Sequence, residues 1–187
     1  MYTSNFTFMQ KGLTVLILLV SGLVSAQQIQ WMSLEEALAA QKETPKKIFM
    51  DVFTKWCGPC KLLDRKTFAN PYVAAYISEN YYAVKFDAEG QEEIDFYGNK
   101  FTNPNYDPSR KGRNSTHQFT QFLGVSGYPT MVFLSETGDP IMPIVGYHNP
   151  QQIEMYLKLI KQGDYQIFSN PDDFENYRKN FVPRFKG

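Results

Sequence analysis

The chain has 187 residues, a length that suits one domain of ordinary size. Its 19 basic and 19 acidic side chains cancel, so no overall field draws the protein to nucleic acid or to an anionic membrane, and we expect no nucleic-acid partner. Aromatic residues make up 16% of the chain, which indicates a filled globular core rather than a disordered polypeptide.

Residues 1–26 are predicted to form a secretory signal peptide. Lys11 precedes the apolar run Leu13 to Val20, and the small residues Val24-Ser25-Ala26 offer a cleavage site before Gln27. The run is shorter than the ~20 residues that cross a bilayer, so an uncleaved anchor is the less favoured alternative. No cysteine stands at the cleavage site to carry a lipid. We therefore expect a periplasmic or secreted protein.

Helices and strands are predicted to alternate along the mature chain. A capping box, Ser33-Leu34-Glu35-Glu36, begins a helix over 33–41, and the apolar run Lys47 to Phe53, interrupted by Asp51, indicates a buried central strand. Further predicted elements are a helix over 61–68 that breaks and restarts at Asn70-Pro71, a strand over 81–86, strands over 131–134 and 141–145 around a turn at 136–139, and a helix from Asn149-Pro150. This order predicts a sheet with helices on both faces.

Two segments lie outside that alternation. Residues 88–115 are polar and rich in turn-forming residues, so they predict a lid-like insertion loop. Its aromatic residues either form a substrate platform or, as we expect, pin the loop to the core; they include Phe96, Tyr97, Phe101 and Tyr106. Residues 164–187 follow the main domain, 27–163, and the cap pair Asn170-Pro171 predicts a short helix that packs on it.

The two cysteines, Cys57 and Cys60, are either a structural staple or a reactive pair. Closing so short a loop stabilises a fold by only about 2 kcal/mol in the chain-entropy model, which favours a reactive pair. The pair follows a strand and opens a helix, where unpaired N–H groups favour the thiolate of Cys57. Cys60 lies one turn along, within reach of a mixed disulfide at Cys57, and Pro59 suits the first helical turn.

Three segments carry a resemblance to a known family. Phe49 to Lys61, with Trp56-Cys57-Gly58-Pro59-Cys60, resembles the active-site strand and helix of thioredoxins, and Gly127-Tyr128-Pro129-Thr130 resembles their cis-proline loop. Lys66 to Val73 is similar to the C-terminal domain of transmembrane thiol:disulfide interchange proteins and to related exported thioredoxin-like proteins. The resemblance covers about residues 45–162, apart from the insertion, and implies an α/β thioredoxin-like fold with a central mixed sheet.

The resemblance also implies roles for individual residues. Asp51 corresponds to a buried acid that takes and returns the proton of the second cysteine, and its apolar surroundings predict a raised pKa; the alternative is an acid that faces solvent. Lys85 is either its ion-pair partner or an exposed edge lysine. The implied catalytic residues are Cys57, Cys60 and Asp51. The implied substrate-contacting residues are Trp56, Gly58, Pro59, Tyr128 and Pro129.

Tyr128 stands where thioredoxins commonly carry an aliphatic residue, and Trp56 either packs against the active site or has no special role. His117 and His148 lack ligand spacing, so we expect no metal, no cofactor beyond the Cys57–Cys60 disulfide, and two surface histidines. The basic segment 110–113 either contacts an acidic partner or, as we expect, is a solvated loop.

These observations predict an exported thiol-disulfide oxidoreductase that reduces disulfides in other proteins. A disulfide oxidant or isomerase is the alternative within the same chemistry, and a non-catalytic binding module is the alternative outside it. We expect a monomer whose Cys57 sulfur is accessible, with disulfide-containing proteins as substrates. The resemblance implies a membrane thiol:disulfide interchange protein as electron donor.

Overall fold

A four-stranded mixed sheet lies at the centre of the computed structural model, which describes residues 28–187. Its strands are β1 Ile48–Phe53, β2 Tyr82–Asp87, β5 Thr130–Leu134 and β6 Pro140–Val145. They stand in the order β2-β1-β5-β6, with β1 parallel to β2 and antiparallel to β5, and β5 antiparallel to β6. A separate hairpin joins β3 Ile94–Phe96 to β4 Asn99–Phe101. The predicted signal peptide lies outside the described residues.

Six α-helices accompany the strands in the part of the chain that the structure describes. They are α1 Leu34–Glu43, α2 Gly58–Leu63, α3 Pro71–Asn80, α4 Gln118–Phe122, α5 Pro150–Gln162 and α6 Pro171–Asn180. The predicted caps at Ser33, Asn70, Asn149 and Asn170 are confirmed, each accepting hydrogen bonds from backbone N–H groups of the first turn. No helix among residues 28–187 is long and apolar enough to span a bilayer.

The helices bury both faces of the sheet, because alternate residues of each strand point to opposite sides. On one face Phe49 packs with apolar residues of α2, α3 and α5, including Leu63, Ile77 and Leu157. On the other face Met50 packs with α1, α4 and the β3–β4 hairpin. The predicted fold class is therefore confirmed.

Residues 88–115 form a more ordered insertion than the predicted lid-like loop. They contain the β3–β4 hairpin, whose Ile94 and Phe96 are buried against Phe119 of α4. Asn103 closes the base of the insertion by donating to the carbonyl oxygens of Gly90 and Ser115, at 3.0 and 2.8 Å. The expected pinning role is thus confirmed for Phe96, whereas Tyr97 is 61% exposed.

His117 contradicts the expectation of a surface histidine, because it is fully buried at the start of α4. Its Nδ1 accepts a hydrogen bond from the Phe119 N–H at 3.0 Å, and its Nε2 lies 2.7 Å from the carbonyl oxygen of Glu92. His148 is partly buried, and burial lowers its pKa. Neither ring is an ordinary surface group.

The chain after α5 returns along the domain. In α6, Phe174 stacks on Tyr156 of α5 with ring centroids 6.3 Å apart. The following segment is held by Glu154, a fully buried carboxylate whose Oε2 accepts from the N–H groups of Arg184 and Phe185, both at 2.7 Å. The C-terminal segment is therefore anchored to α5 by hydrogen bonds as well as by aromatic packing.

Candidate redox site

Cys57 and Cys60 form a disulfide at the start of α2, with the two sulfurs 2.03 Å apart. The chain leaves β1 at Phe53 and turns through a Cys57 N–H to Thr54 carbonyl hydrogen bond of 3.1 Å. Cys57 is the N-cap of α2, and its sulfur accepts from the Cys60 N–H at 3.0 Å. Helix geometry therefore places a backbone donor on the first sulfur, where it also stabilises a thiolate.

The exposure of the disulfide differs from the sequence-based expectation. Cys57 is 2% exposed and Cys60 is 3% exposed, so the prediction of an accessible Cys57 sulfur is wrong for this oxidised form. Gly58 and Pro59, between the cysteines, are exposed, and the space beside the Gly58 Cα is empty. The turn between the two cysteines is therefore open to solvent at Gly58.

Asp51 lies in the middle of β1 and is 1% exposed, so the alternative of a solvent-facing acid is wrong. Its neighbours across the sheet are Lys85 on β2 and Met131 on β5. Burial raises the pKa of Asp51 from 3.8 to about 7, the Lys85 charge opposes that rise, and the Asp64 charge adds to it. One carboxyl oxygen, Oδ1, has no hydrogen-bond partner within the part of the chain that the structure describes.

Lys85 is an ion-pair partner of Asp51, with its Nζ 3.4 Å from Asp51 Oδ2. The same Nζ forms a closer hydrogen-bonded ion pair with Asp64. Asp64 begins a π-helical turn, Asp64–Phe68, that continues α2. Sequence reasoning missed Asp64, although its position four residues after Cys60 places it on the same helix face.

The loop before β5 carries the predicted cis peptide bond, between Tyr128 and Pro129, which is confirmed. Pro129 is buried, and its carbonyl oxygen accepts from the Gly146 N–H at 2.8 Å. The half-buried Tyr128 ring meets the Trp56 ring edge to face, with centroids 6.0 Å apart. Trp56 therefore packs beside the disulfide, between the cis-proline loop and the insertion.

The insertion holds Trp56 in place through residues that the sequence did not single out. Trp56 Nε1 donates to Glu89 Oε2 at 2.8 Å, and the same oxygen accepts from the Asn114 N–H at 2.8 Å. The Arg113 guanidinium lies 4.3 Å from the centre of the Trp56 ring. Residues 110–113 are all exposed, as expected for a solvated loop, although the Arg113 guanidinium also packs on Trp56.

Comparisons with known proteins agree with this geometry. The profile of a family described as "Thioredoxin-like domain" matches residues 34–161, and the chain belongs to this thioredoxin-like family. A thioredoxin-fold protein from Helicobacter pylori has a TM-score of 0.57 at 18% identity, over 78% of this chain and 94% of that one. A thioredoxin from Thermus thermophilus has a TM-score of 0.52 at 14% identity, over 71% and 87%.

One curated relative, an uncharacterized protein of Caenorhabditis elegans, is 30% identical over 61 residues. The match covers 33% of this chain and 8% of that protein. The family and fold therefore rest on the match over residues 34–161 and on the structural likeness. The chain combines a thioredoxin-like fold with a Cys-x-x-Cys disulfide at the start of a helix.

Proposed function

We propose that this protein is a thiol-disulfide oxidoreductase that reduces disulfides in exported proteins through Cys57 and Cys60. The observation that carries the proposal is the disulfide at the start of α2, where the Cys57 sulfur accepts the Cys60 N–H. A structural staple does not need this placement, because a loop this short restrains the unfolded chain only weakly.

The reaction proceeds in two exchanges from the dithiol form. The Cys57 thiolate attacks one sulfur of the substrate disulfide, a Cys57–substrate bond forms, and the other substrate sulfur leaves as a thiolate. Cys60 then loses its proton and attacks the Cys57 sulfur, which releases the second substrate thiolate. Two electrons pass to the substrate, and the Cys57–Cys60 disulfide is restored.

Asp51 is the group we assign to the proton of Cys60. Its carboxyl is buried in β1, six residues before Cys57, and has a pKa of about 7, so it exists in both protonation states near neutral pH. A base with such a pKa accepts a proton and returns it with little cost in either direction. Burial is the main cause of this raised pKa, and the charges of Lys85 and Asp64 modify it in opposite directions.

Substrate contact is assigned to the residues around the two sulfurs. The Tyr128 backbone precedes the cis bond and pairs with an extended substrate segment by strand addition, while Trp56 flanks the segment. The exposed Gly58 and Pro59 leave room for the approaching disulfide. Pro129 is buried, so its ring packs inside the protein and supports the Tyr128–Pro129 loop.

Export and the direction of electron flow belong to the same proposal. A signal peptide over 1–26 delivers the protein to an oxidising compartment, and a membrane thiol:disulfide interchange protein supplies the electrons. Reduction of substrates requires a potential near that of thioredoxin, about −270 mV. A measured reduction potential of about −120 mV for the Cys57–Cys60 disulfide indicates a disulfide oxidant instead.

The test is turnover of a neutral small disulfide, 2-hydroxyethyl disulfide, with dithiothreitol as the electron source. The wild type is expected to accelerate thiol release at least about a hundredfold over Cys57→Ser, because the variant lacks the attacking sulfur. Circular dichroism and thermal unfolding check that the variant is folded. Equal rates for the two proteins contradict the proposal and favour a binding module.

A further inference from the structure

A cleft of about 240 Å³ lies between the redox site and the base of the insertion. Trp56 forms one wall, and Tyr106 and Arg110 of the insertion form another. Because Trp56 directly precedes Cys57, the cleft begins one residue from the sulfur that attacks the substrate. A chain segment held by Cys57 therefore brings its flanking side chains to this cleft.

The acidic side chains around the cleft are already bound within the protein. Asp87 accepts from the Glu89 N–H at 3.1 Å and pairs with Lys55 at 3.2 Å. Glu89 accepts from Trp56 and Asn114, as described above. Their negative charges are therefore partly neutralised by donors of the protein itself.

The basic side chains at the rim remain available to a ligand. Arg113 lies over Trp56 and has no carboxylate within 4.0 Å of its charged end among residues 28–187. Arg110 has a side chain that is 62% exposed, and its contact with Asp107 is long, at 3.9 Å. Arg110 lines the cleft and Arg113 lies over Trp56, which forms one of its walls, so two guanidinium groups lie beside the cleft.

We propose that this cleft is a substrate subsite that binds an acidic side chain close to the attacked cysteine, with Arg110 and Arg113 as its positive groups. The carboxylate accepts paired hydrogen bonds from a guanidinium, a geometry that arginine favours over lysine. Arg113 already packs on the Trp56 ring, so less freedom is lost when the ligand binds. The insertion then selects among substrates, while the sulfurs perform the exchange.

This inference rests on the proposed function for the reaction but is tested by binding alone. Two peptides with serine in place of cysteine are compared on the oxidised protein by calorimetry, one with glutamates and one with glutamines beside the serine. The glutamate peptide is expected to bind about fivefold more tightly in about 0.02 M salt, and the difference is expected to vanish in about 0.5 M salt.

Arg113→Ala is expected to abolish the preference, whereas Arg178→Ala, which removes the same charge from α6, is expected to leave it intact. Equal affinities for the two peptides in the wild type overturn the inference, as does a preference that survives in Arg110→Ala/Arg113→Ala. Turnover of 2-hydroxyethyl disulfide, which has no charge, is expected to be unchanged in the control variant Arg178→Ala. If the wild type does not turn over 2-hydroxyethyl disulfide, the proposed function is contradicted, but the peptide-binding result still tests the subsite.

Discussion

At the scale of single residues, the buried carboxyl of Asp51 is the most consequential group in the structure. It is 1% exposed, one of its oxygens lacks a hydrogen-bond partner among residues 28–187, and its ion-pair partner Lys85 also pairs with Asp64. An ionised carboxylate in this place is stabilised less than in water, which is why its pKa is raised. The group therefore costs folding stability and serves proton transfer.

Asp51→Asn is predicted to stabilise the protein more at high pH than at low pH. The pKa of the Asp51 carboxyl is 3.8 in the unfolded chain and about 7 in the folded protein. The buried carboxylate therefore does not destabilise the fold below about pH 3.8, and its destabilising effect is complete above about pH 7. The difference in free energy of unfolding between the variant and the wild type is expected to grow by up to about 4 kcal/mol from about pH 4 to about pH 8. Urea unfolding of the oxidised proteins at both pH values measures this, and a pH-independent difference contradicts it.

Asp64→Asn is predicted to lower the pKa of Asp51. The change removes a nearby negative charge and leaves the Lys85 ammonium to Asp51 alone. The titration of the Asp51 carboxyl carbon, followed by nuclear magnetic resonance, is expected to move to lower pH by up to about one unit. Asp64→Glu is the matched control, because it keeps the charge. An upward shift or no shift refutes the assigned role of Asp64.

At the scale of elements, two segments added around the sheet act differently on the core and on the site. The insertion, 88–115, places Glu89 and Arg113 on Trp56 and so reaches the redox site. The C-terminal segment is held by Glu154 of α5, and its Phe185 stacks on Tyr72 of α3. Substitutions in the insertion are therefore expected to alter substrate choice, and substitutions in the C-terminal segment are expected to alter stability.

Glu154→Ala is predicted to destabilise the protein by about 2–4 kcal/mol, because two backbone N–H groups and the Lys158 ammonium lose their buried partner. Urea unfolding of the oxidised protein measures the loss. Glu175→Ala is the matched control, since it removes an exposed carboxylate that pairs with Arg178 on α6. Similar effects of the two substitutions contradict the anchoring role of Glu154.

At the scale of the whole molecule, the features that the sequence predicted are those with local signals. The caps at Ser33, Asn70 and Asn149 and the apolar run of β1 are set by neighbouring residues, and all four appear in the structure. The sequence alone does not decide whether Lys85 pairs with Asp51, because the pairing depends on the register of β1 and β2. Long-range geometry is thus where sequence reasoning stopped.

The features that sequence reasoning missed depend on contacts between distant parts of the chain. The three-residue strands β3 and β4 are too short for a clear alternation, and they form because Phe96 packs on Phe119. His117 is buried because a carbonyl oxygen of the insertion meets its ring. The low exposure of Cys57 likewise arises only after the chain has folded around it.

The account of the whole molecule depends on Cys57 as the attacking sulfur and Cys60 as the resolving one. The most direct measurement is the mass of the protein after Cys60→Ser, in its thiol form, has met a peptide disulfide, with Cys57→Ser as the parallel sample. A stable adduct of one peptide on Cys57 is predicted in the first sample and none in the second. An adduct in both samples, or in neither, contradicts the central claim.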